Sequence, residues 1–485
     1  MRIRKFCKPQ NACGRIVVSV QSLIIILYLV LTVAIGLVAQ RKAKSASAFH
    51  GAGLGVVMCV AAGTGEWLGG TSTTGVSEYG YDFGISGAWY TIANGIGVVF
   101  LSIFFAKLYR SLDTVTVPGI IEKFIGVNAR VVSSILLTFV MVAVGTSQVV
   151  AAGTLGVSVF GMDYVTAVFI LGTGFIIYTL AGGMTAVGYT NILHLFVMYG
   201  GVLLAVALVN SDVGGYATVR ANLPDSYFSM TAIGMPKVSG WVIASILGAC
   251  TAQAGIQPIL AAKDVNVARN SAFITGLIVA PFGIITAYLG MAAKVRFPDL
   301  VNGKQALPTL MMEMNPVAGG IVLASILAAI LSTISPIILA SGTMMTKDIY
   351  QRRLRPDAND AELLKVSRLS TAFAGVVCMI GAIGLYDSSR ILDIVYFAYT
   401  LRGCLFVVLL MGIYWKGTTE KGAVRAMIVT AFVGLLWVGW KAATGSYPLH
   451  PQLSETYASL VVALVSTVML SNYGKKHGEC PERNG

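Results

Sequence analysis

Thirteen apolar stretches, each about as long as a lipid bilayer is thick, decide what this chain can fold into. They lie at 16–38, 52–74, 84–106, 132–157, 164–182, 187–210, 239–262, 271–293, 316–342, 367–386, 391–414, 422–443 and 454–471. A helix needs roughly 20 apolar residues to cross the hydrocarbon core. Of the 485 residues 56% are hydrophobic and 11% are charged, which leaves too little polar sequence for a water-soluble catalytic domain. The sequence predicts an all-α polytopic membrane protein with about 13 transmembrane helices, called spans 1 to 13 below.

Spans 2 and 7 are interrupted by small and polar residues in the same way. Residues 61–71 read AAGTGEWLGGT, and residues 248–258 read GACTAQAGIQP. Unwound backbone at membrane depth occurs only where protein or a water-filled cavity satisfies it. Paired interruptions in two halves point to the solute site of a secondary transporter. Each interruption opens a block of five spans, and an odd number of spans inverts the second block, so we expect a 5+5 inverted repeat with broken first helices.

This repeat divides the chain into three parts. Residues 1–50 are expected to form an N-terminal tail and an extra helix. Residues 51–415 would be the transporter core, with a first repeat at about 52–210 and a second at about 239–414. Residues 416–485 would add two C-terminal helices and a short tail.

The net charge of +13 follows loop parity, which indicates orientation rather than nucleic-acid binding. If the N-terminus is outside, the inner loops and C-terminal tail hold 21 Lys and Arg residues against 12 on the outer side. The positive-inside rule therefore favours a multi-pass protein of the cell membrane with its N-terminus outside and its C-terminus in the cytoplasm. Five of the outer cations, from Arg2 to Arg15, should resist export. Either the true start lies downstream or the other spans dominate.

The cysteines and histidines give no sign of a metal centre or a catalytic site. The seven cysteines lack metal-ligand spacing, and the chain has four scattered histidines, no HExxH motif and no nucleophile motif. We therefore expect no enzyme activity, no cofactor and no metal other than a coupling ion. The C-terminal tail is too short for a signalling module, which argues against a membrane sensor.

Span 9 concentrates hydroxyl groups at mid-membrane, in the segment AAILSTISP at 328–336. Such hydroxyls often bond back to carbonyls of their own helix, which would be a structural explanation. Alternatively, Ser332 and Thr333 with the Ala329 carbonyl could supply three hard oxygen ligands to an alkali cation. Broken helices contribute free carbonyls to sodium sites of this kind, and span 2 is broken.

Four segments resemble the sodium:solute symporter family in order and placement. They are AAILSTIS at 328–335 with MTKDIY at 345–350; YTLAGGMTAVGYTN at 178–191; Gln253, Gln257 and LAAKD at 260–264; and GIYWKGTT at 412–419. The resemblance implies a leucine-transporter-type fold. It also implies that Ser332, Thr333 and the Ala329 carbonyl bind sodium, with the carbonyls of Val60 and Gly63 completing the shell from span 2.

The chain departs from the family's usual pattern at three positions. It has Asn191 where Asp is usual, His194 where Gln is usual, and Pro258 where Arg commonly follows the second Gln of span 7. Because a carboxylate is missing at position 191, we expect one sodium ion per cycle. His194 is either a satisfied core histidine or a proton relay, since ionisable groups inside membranes are often functional.

Glu66 and Arg402 place charge inside spans 2 and 11, where it costs about 2.5–3.5 kcal/mol to insert. They could neutralise each other, or Arg402 could clamp a solute carboxylate while Glu66 attracts an amine. We expect the solute between the two interruptions, where Trp67, Gln253 and Gln257 also lie.

The sequence thus predicts a sodium-coupled symporter that imports a small organic solute by alternating access. The preferred solute is an amino acid or another carboxylate-bearing molecule. Two alternatives stay open. Residues 67–70 with Glu78 and Tyr79 also resemble the choline-transporter branch, and Glu78 with Asp82 could attract a choline-like amine. The second alternative is a symporter coupled to protons through His194. The expected partners are the solute, sodium and the bilayer.

Overall fold

The computed structural model describes residues 19–40, 53–450 and 452–476, and helices dominate these residues throughout. The helices that form the spans are, in chain order, Val20–Gln40, Val56–Trp67 with Val76–Phe83, Trp89–Phe104, Val127–Phe160, Tyr164–Asp212 (spans 5 and 6), Met235–Ala249 with Gln253–Leu260, Val265–Arg296, Pro316–Met344, Asp360–Leu385, Ile391–Tyr414, Glu420–Thr444 and Glu455–Lys476. This confirms the all-α class. Among the described residues, ten helices are long and apolar enough to cross a membrane, and shorter apolar helices accompany them. The basic N-terminal tail, residues 1–18, lies outside the described residues.

Both predicted interruptions are real breaks in the helices. Span 2 stops at Trp67 and resumes at Thr71 as a five-residue π-helix. Span 7 stops at Ala249 and resumes at Gln253. Gly69, Gly70 and Thr251 lie at these points and have low helix propensity, and the freed backbone groups are buried in protein.

Spans 5 and 6 form one continuous helical run that changes direction between Tyr178 and Thr190. The hydroxyls of these two residues lie 2.5 Å apart. In a straight helix, twelve residues would separate their Cα atoms by about 18 Å. The run is therefore bent between them, and its two arms correspond to the two predicted spans.

The loops sort onto two faces as their parity predicts. On one face, the N–H of Lys263 donates to the Leu54 carbonyl at 3.0 Å, joining the loops before span 2 and after span 7. On the other, the indole of Trp89 donates to the Met230 carbonyl at 2.8 Å. We call the first the inner face, because the positive-inside rule predicts that it faces the cytoplasm.

Span 9 is the central helix of the bundle. In the most apolar 18-residue segment of span 9, 94% of the residues are buried, compared with 33% in the corresponding segments of spans 12 and 13. Spans 12 and 13 pack mainly against each other and leave large apolar side chains exposed to lipid, such as Phe432 and Val461. The hydroxyl-rich segment of span 9 is thus enclosed by protein on all sides.

Candidate functional site

A cluster of oxygen atoms lies where span 9 meets the end of the first half of span 2. The Thr333 hydroxyl donates to the Gly65 carbonyl at 2.5 Å, and the Ser332 hydroxyl lies 3.1 Å from the same oxygen. Ser332 Oγ is also 2.8 Å from the Ala329 carbonyl. Two hydroxyls and two carbonyls therefore converge in a buried place, which is the donor set that a hard alkali cation prefers.

The Gly65 carbonyl occupies the place that the sequence analysis gave to Val60 and Gly63. Those two residues lie inside the regular helix, whose i to i−4 hydrogen bonds use their carbonyl oxygens. The helix ends at Trp67, so carbonyls of its last turn lose their partners and can turn towards span 9. The side of Gly63 faces Thr275 of span 8 instead.

Span 6 closes the cluster from behind. The Asn191 amide donates to the Ser332 carbonyl at 3.3 Å. A Cβ atom on Gly65 would stand 2.5 Å from the Asn191 amide nitrogen and 3.1 Å from Ser332 Cβ. Only glycine allows span 2 to approach spans 6 and 9 this closely. The residue that departs from the family pattern is therefore a direct neighbour of the oxygen cluster.

The break in span 2 is held open by Gln148 of span 4, which the sequence analysis missed. The Gly70 N–H donates to the Gln148 side-chain carbonyl at 2.7 Å. A Cβ on Gly69 would lie 2.5 Å from both Gln148 Oε1 and Thr333 Oγ1. Gln148 therefore satisfies an orphaned backbone group at the break and packs the break against the oxygen cluster.

A second group of side chains lies between the two breaks, around Arg402 of span 11. The guanidinium carbon of Arg402 is 3.9 Å from the centre of the Tyr399 ring and 5.5 Å from that of Trp67. Arg402 is only 1% exposed and Glu66 is 6% exposed. In the described part of the chain, Arg402 Nε, Arg402 Nη2 and Glu66 Oε2 have no hydrogen-bond partner.

Both interrupted helices touch this group. In the break of span 7, the Thr251 hydroxyl donates to the Arg402 carbonyl at 2.6 Å. A Cβ on Gly255 would be 3.0 Å from the Trp67 ring. From the other side, the Tyr90 hydroxyl of span 3 lies 3.1 Å from that of Tyr399. Spans 2, 3, 7 and 11 therefore enclose one buried polar site.

Gln253 lies apart from this group. Its side-chain oxygen accepts from the Val117 N–H at 2.7 Å, and its amide donates to the Val115 carbonyl at 3.3 Å. It braces the inner loop before helix Val117–Phe124, so both ends of its amide are engaged with backbone groups in this conformation. Gln257, one turn further, is buried on the same half-helix.

The remaining predicted charges and His194 are engaged with protein groups. Glu78 lies 3.8 Å from the Lys304 amine, and Asp82 pairs with Arg390 at 3.0 Å. His194 is fully buried, and its Nδ1 is hydrogen-bonded to the hydroxyl of Tyr28 in span 1. The outer acids are thus paired with cations. The histidine is satisfied on one side only, because its buried Nε2 has no hydrogen-bond partner among the described residues.

Comparison with protein families decides the class of the molecule. The family described as "Sodium:solute symporter family" matches residues 49–430. The chain belongs to the sodium:solute symporter family. This confirms that it is a multi-pass membrane transporter, a sodium-coupled symporter of a small organic solute.

Relatives of this symporter include proline transporters. It is 26% identical to the osmoregulated proline transporter OpuE of Bacillus subtilis, with 91% of this chain and 94% of the relative covered. It is 25% identical to the high-affinity proline transporter PutP of the same organism, over 80% and 85% of the two chains. A sodium/proline symporter of Staphylococcus aureus is 26% identical, over 82% and 81%.

Solved structures share the fold of this symporter. A sodium-coupled sialic acid symporter in a substrate-bound outward-open state superposes with a TM-score of 0.78 at 19% identity, over 96% of this chain and 99% of that one. A nucleobase-cation-symport-1 family transporter in a closed conformation gives 0.59 at 13% identity, over 90% and 96%. These likenesses confirm the five-plus-five inverted-repeat fold.

Proposed function

We propose that the symporter carries a zwitterionic amino acid together with one sodium ion. The observation that carries this proposal is Arg402, a buried guanidinium with two donor nitrogens that bond to no acceptor among the described residues. Leaving a buried charge unpaired costs several kcal/mol. A solute carboxylate would accept both donors in the bidentate geometry that arginine favours.

Glu66 supplies the complementary charge for a solute amine. It lies in the last turn of the first half of span 2, beside Trp67, whose ring is near Arg402. Among the described residues, Glu66 Oε2 has no hydrogen-bond partner, and neither have Arg402 Nε and Nη2. A solute with one carboxylate and one amine would bridge them, and the named proline carriers among its relatives transport such a molecule.

Sodium would bind at the oxygen cluster formed by Gly65, Ala329, Ser332 and Thr333. Gly65 is adjacent to Glu66 and two residues before Trp67, so ion and solute share the last turn of one half-helix. Ordering that turn by sodium favours the conformation that binds solute. Linkage requires that solute in turn favours sodium binding.

The transport cycle follows from this coupling. Sodium would stabilise the state open to the outside, solute would dock between the two breaks, and low internal sodium would release both inward. In this proposal residues 51–415 are the transporter core, the N-terminus is outside and the C-terminus is cytoplasmic. Asn191 supplies no carboxylate for a second cation, which supports a stoichiometry of one sodium ion per solute.

The two alternatives receive less support from the contacts. A choline-like amine would be attracted by free outer acids, whereas Glu78 and Asp82 face Lys304 and Arg390. Proton coupling would route through His194, whose Nδ1 is bonded to Tyr28 within the core.

Substituting Arg402 tests the proposed solute site. In NaCl, wild-type protein should be stabilised against heat by L-proline or another amino acid, because any ligand of the folded state raises its stability. It should not be stabilised by choline. Arg402→Gln should lose the amino-acid response and keep the response to sodium, which shows that the protein still folds. An amino-acid response that survives in Arg402→Gln, or a choline response in wild type, would refute the assignment.

A further inference from the structure

A basic cavity opens on the inner face between spans 4 and 12. Its volume is about 380 Å³. Arg353, Lys421 and Arg425 line it, the first from the π-helix that continues span 9 and the other two from the start of span 12. Glu420, the nearest acid in sequence, accepts a hydrogen bond from the Asn128 N–H at 2.5 Å. Three cations therefore surround one opening.

Two helix N-termini add to this positive potential. Span 4 begins at Val127 and span 12 at Glu420, and residues of both first turns line the cavity. The helix dipole makes such ends favourable for anions. Glu420 already accepts from the Asn128 N–H at the start of span 4, and the Thr419 hydroxyl accepts from the Gly422 N–H at the start of span 12. The three cations and the two helix dipoles therefore favour an anion at this opening, and the Glu420 carboxylate opposes it.

The rest of the wall is apolar and continues towards the middle of the membrane. Val131 and Val424 line the cavity. Above Val131 on the same face of span 4 lie Ile135 and Phe139, and above Val424 on span 12 lie Ile428 and Phe432. These four side chains are exposed, by 54%, 47%, 53% and 61% respectively. A cationic mouth with a lipid-facing apolar groove behind it has the chemistry of a phospholipid.

We propose that this cavity binds the phosphate headgroup of an anionic phospholipid, with its acyl chains along spans 4 and 12. Arginine pairs with phosphate through two parallel hydrogen bonds, and lysine acts as a point charge. Basic pockets between transmembrane helices on the cytoplasmic side bind anionic headgroups in this manner. A free phosphate ion would use the cations and leave the apolar groove without a partner. Such a lipid would tie the π-helix after span 9 to spans 4 and 12.

Native mass spectrometry of the full-length protein tests this proposal. Phosphatidylglycerol and phosphatidylcholine with identical acyl chains are offered in equal amounts. Wild type should retain phosphatidylglycerol several-fold more than phosphatidylcholine, and Arg425→Gln and Arg353→Gln should each lose most of that preference. Arg368→Gln is the matched control, because Arg368 is an exposed arginine near the inner end of span 10, next to lipid-exposed Leu369.

The outcomes distinguish a bound lipid from surface charge alone and from a soluble phosphate ion. Equal retention of the two lipids by wild type would overturn the proposal. So would equal losses in Arg425→Gln and Arg368→Gln, since they would indicate surface charge alone. Excess inorganic phosphate should fail to displace phosphatidylglycerol. Full displacement by phosphate would show a site for a soluble anion and would overturn the lipid assignment.

Discussion

At the scale of single residues, Gly65 and Asn191 set the character of the cation site. Gly65 brings a carbonyl freed by the end of a helix against the Thr333 and Ser332 hydroxyls. Asn191 faces the same place but offers a neutral amide, which donates to the Ser332 carbonyl. The site is therefore built from dipoles, with no full negative charge among these four residues.

Replacing Asn191 by aspartate should make the protein more dependent on sodium. In KCl, Asn191→Asp should unfold at a lower temperature than wild type, because a carboxylate facing the Ser332 carbonyl leaves two acceptors opposed. In NaCl the added charge should attract the cation and enlarge the sodium-specific rise in the thermal midpoint. The control is Asn94→Asp, another fully buried asparagine, in span 3. It should lower the midpoint equally in both salts, and an equal loss for Asn191→Asp would argue against a cation at this place.

At the scale of elements, the break in span 2 is a joint packed between spans 4 and 9. Gln148 satisfies the Gly70 N–H, and Gly69 lies against both Gln148 and Thr333. Because the joint carries Gly65 on one side and Thr71 on the other, its geometry connects the cation site with the Tyr90 and Tyr399 hydroxyls.

A single methyl group should disturb this joint. In Gly69→Ala the new Cβ would lie 2.5 Å from Thr333 Oγ1, and overpacking of this kind typically costs about 1–3 kcal/mol. We expect a lower thermal midpoint together with a weaker sodium response. Gly174→Ala in span 5 is the control, because a Cβ there meets no atom within 4 Å. Its midpoint should stay unchanged or rise slightly, as for alanine in a helix. If Gly69→Ala kept the sodium response of wild type, the packing of this joint would not affect the sodium site.

Much of this element-level architecture is predictable from sequence, but the register of the contacts is not. Runs of glycine and threonine within apolar spans reveal the breaks, and the Ser332 and Thr333 pair reveals span 9. The residue that faces the pair depends on where span 2 stops, and that point is fixed by packing around Trp67 and Gln148. The family resemblance placed the free carbonyls at Val60 and Gly63, five and two residues before Gly65.

Other site residues carried weaker signals. Gln148 is an uncharged amide within apolar span 4, and such polar residues often bond across helices, so its position alone could have marked it. Tyr90, Thr251 and Tyr399 come from three different spans, and only the packing of those spans brings them together. Gln253 was predicted to bind the solute because it lies in a break. Both its side-chain oxygen and its amide nitrogen are instead hydrogen-bonded to backbone groups of the neighbouring inner loop.

At the scale of the whole molecule, polar contacts join different spans on both sides of the central site. On the outer side, the Ile391 N–H of span 11 donates to Glu78 of span 2 at 3.1 Å. On the inner side, Arg130 of span 4 pairs with Asp348 after span 9 at 2.6 Å. Alternating access requires these two sets of contacts to open in turn, and sodium should bias the choice between them.

Cys59 is a natural reporter of the inner opening. It is 2% exposed, and its thiol lies 3.3 Å from the Pro258 carbonyl in the second half of span 7. If sodium favours the outward-open state, NaCl should slow the alkylation of Cys59 by a maleimide several-fold relative to KCl. Peptide mass spectrometry measures the alkylation of Cys59 separately from that of the cysteines in the tails. Cys378 of span 10, also buried, serves as the internal control and should react alike in both salts. Faster labelling of Cys59 in NaCl would contradict the proposal that sodium favours the outward-open state.

The most direct test of the account is the thermal unfolding of the purified protein in NaCl and in KCl at equal ionic strength. Wild type should unfold at a higher temperature in NaCl, because sodium binds the folded state. Thr333→Ala should lose this difference. Thr343→Ala should keep it, since the buried Thr343 hydroxyl of the same span bonds to the Leu339 carbonyl of its own helix at 2.9 Å. A sodium-specific rise that persists in Thr333→Ala, or that is missing in wild type, would contradict a sodium site between spans 2 and 9.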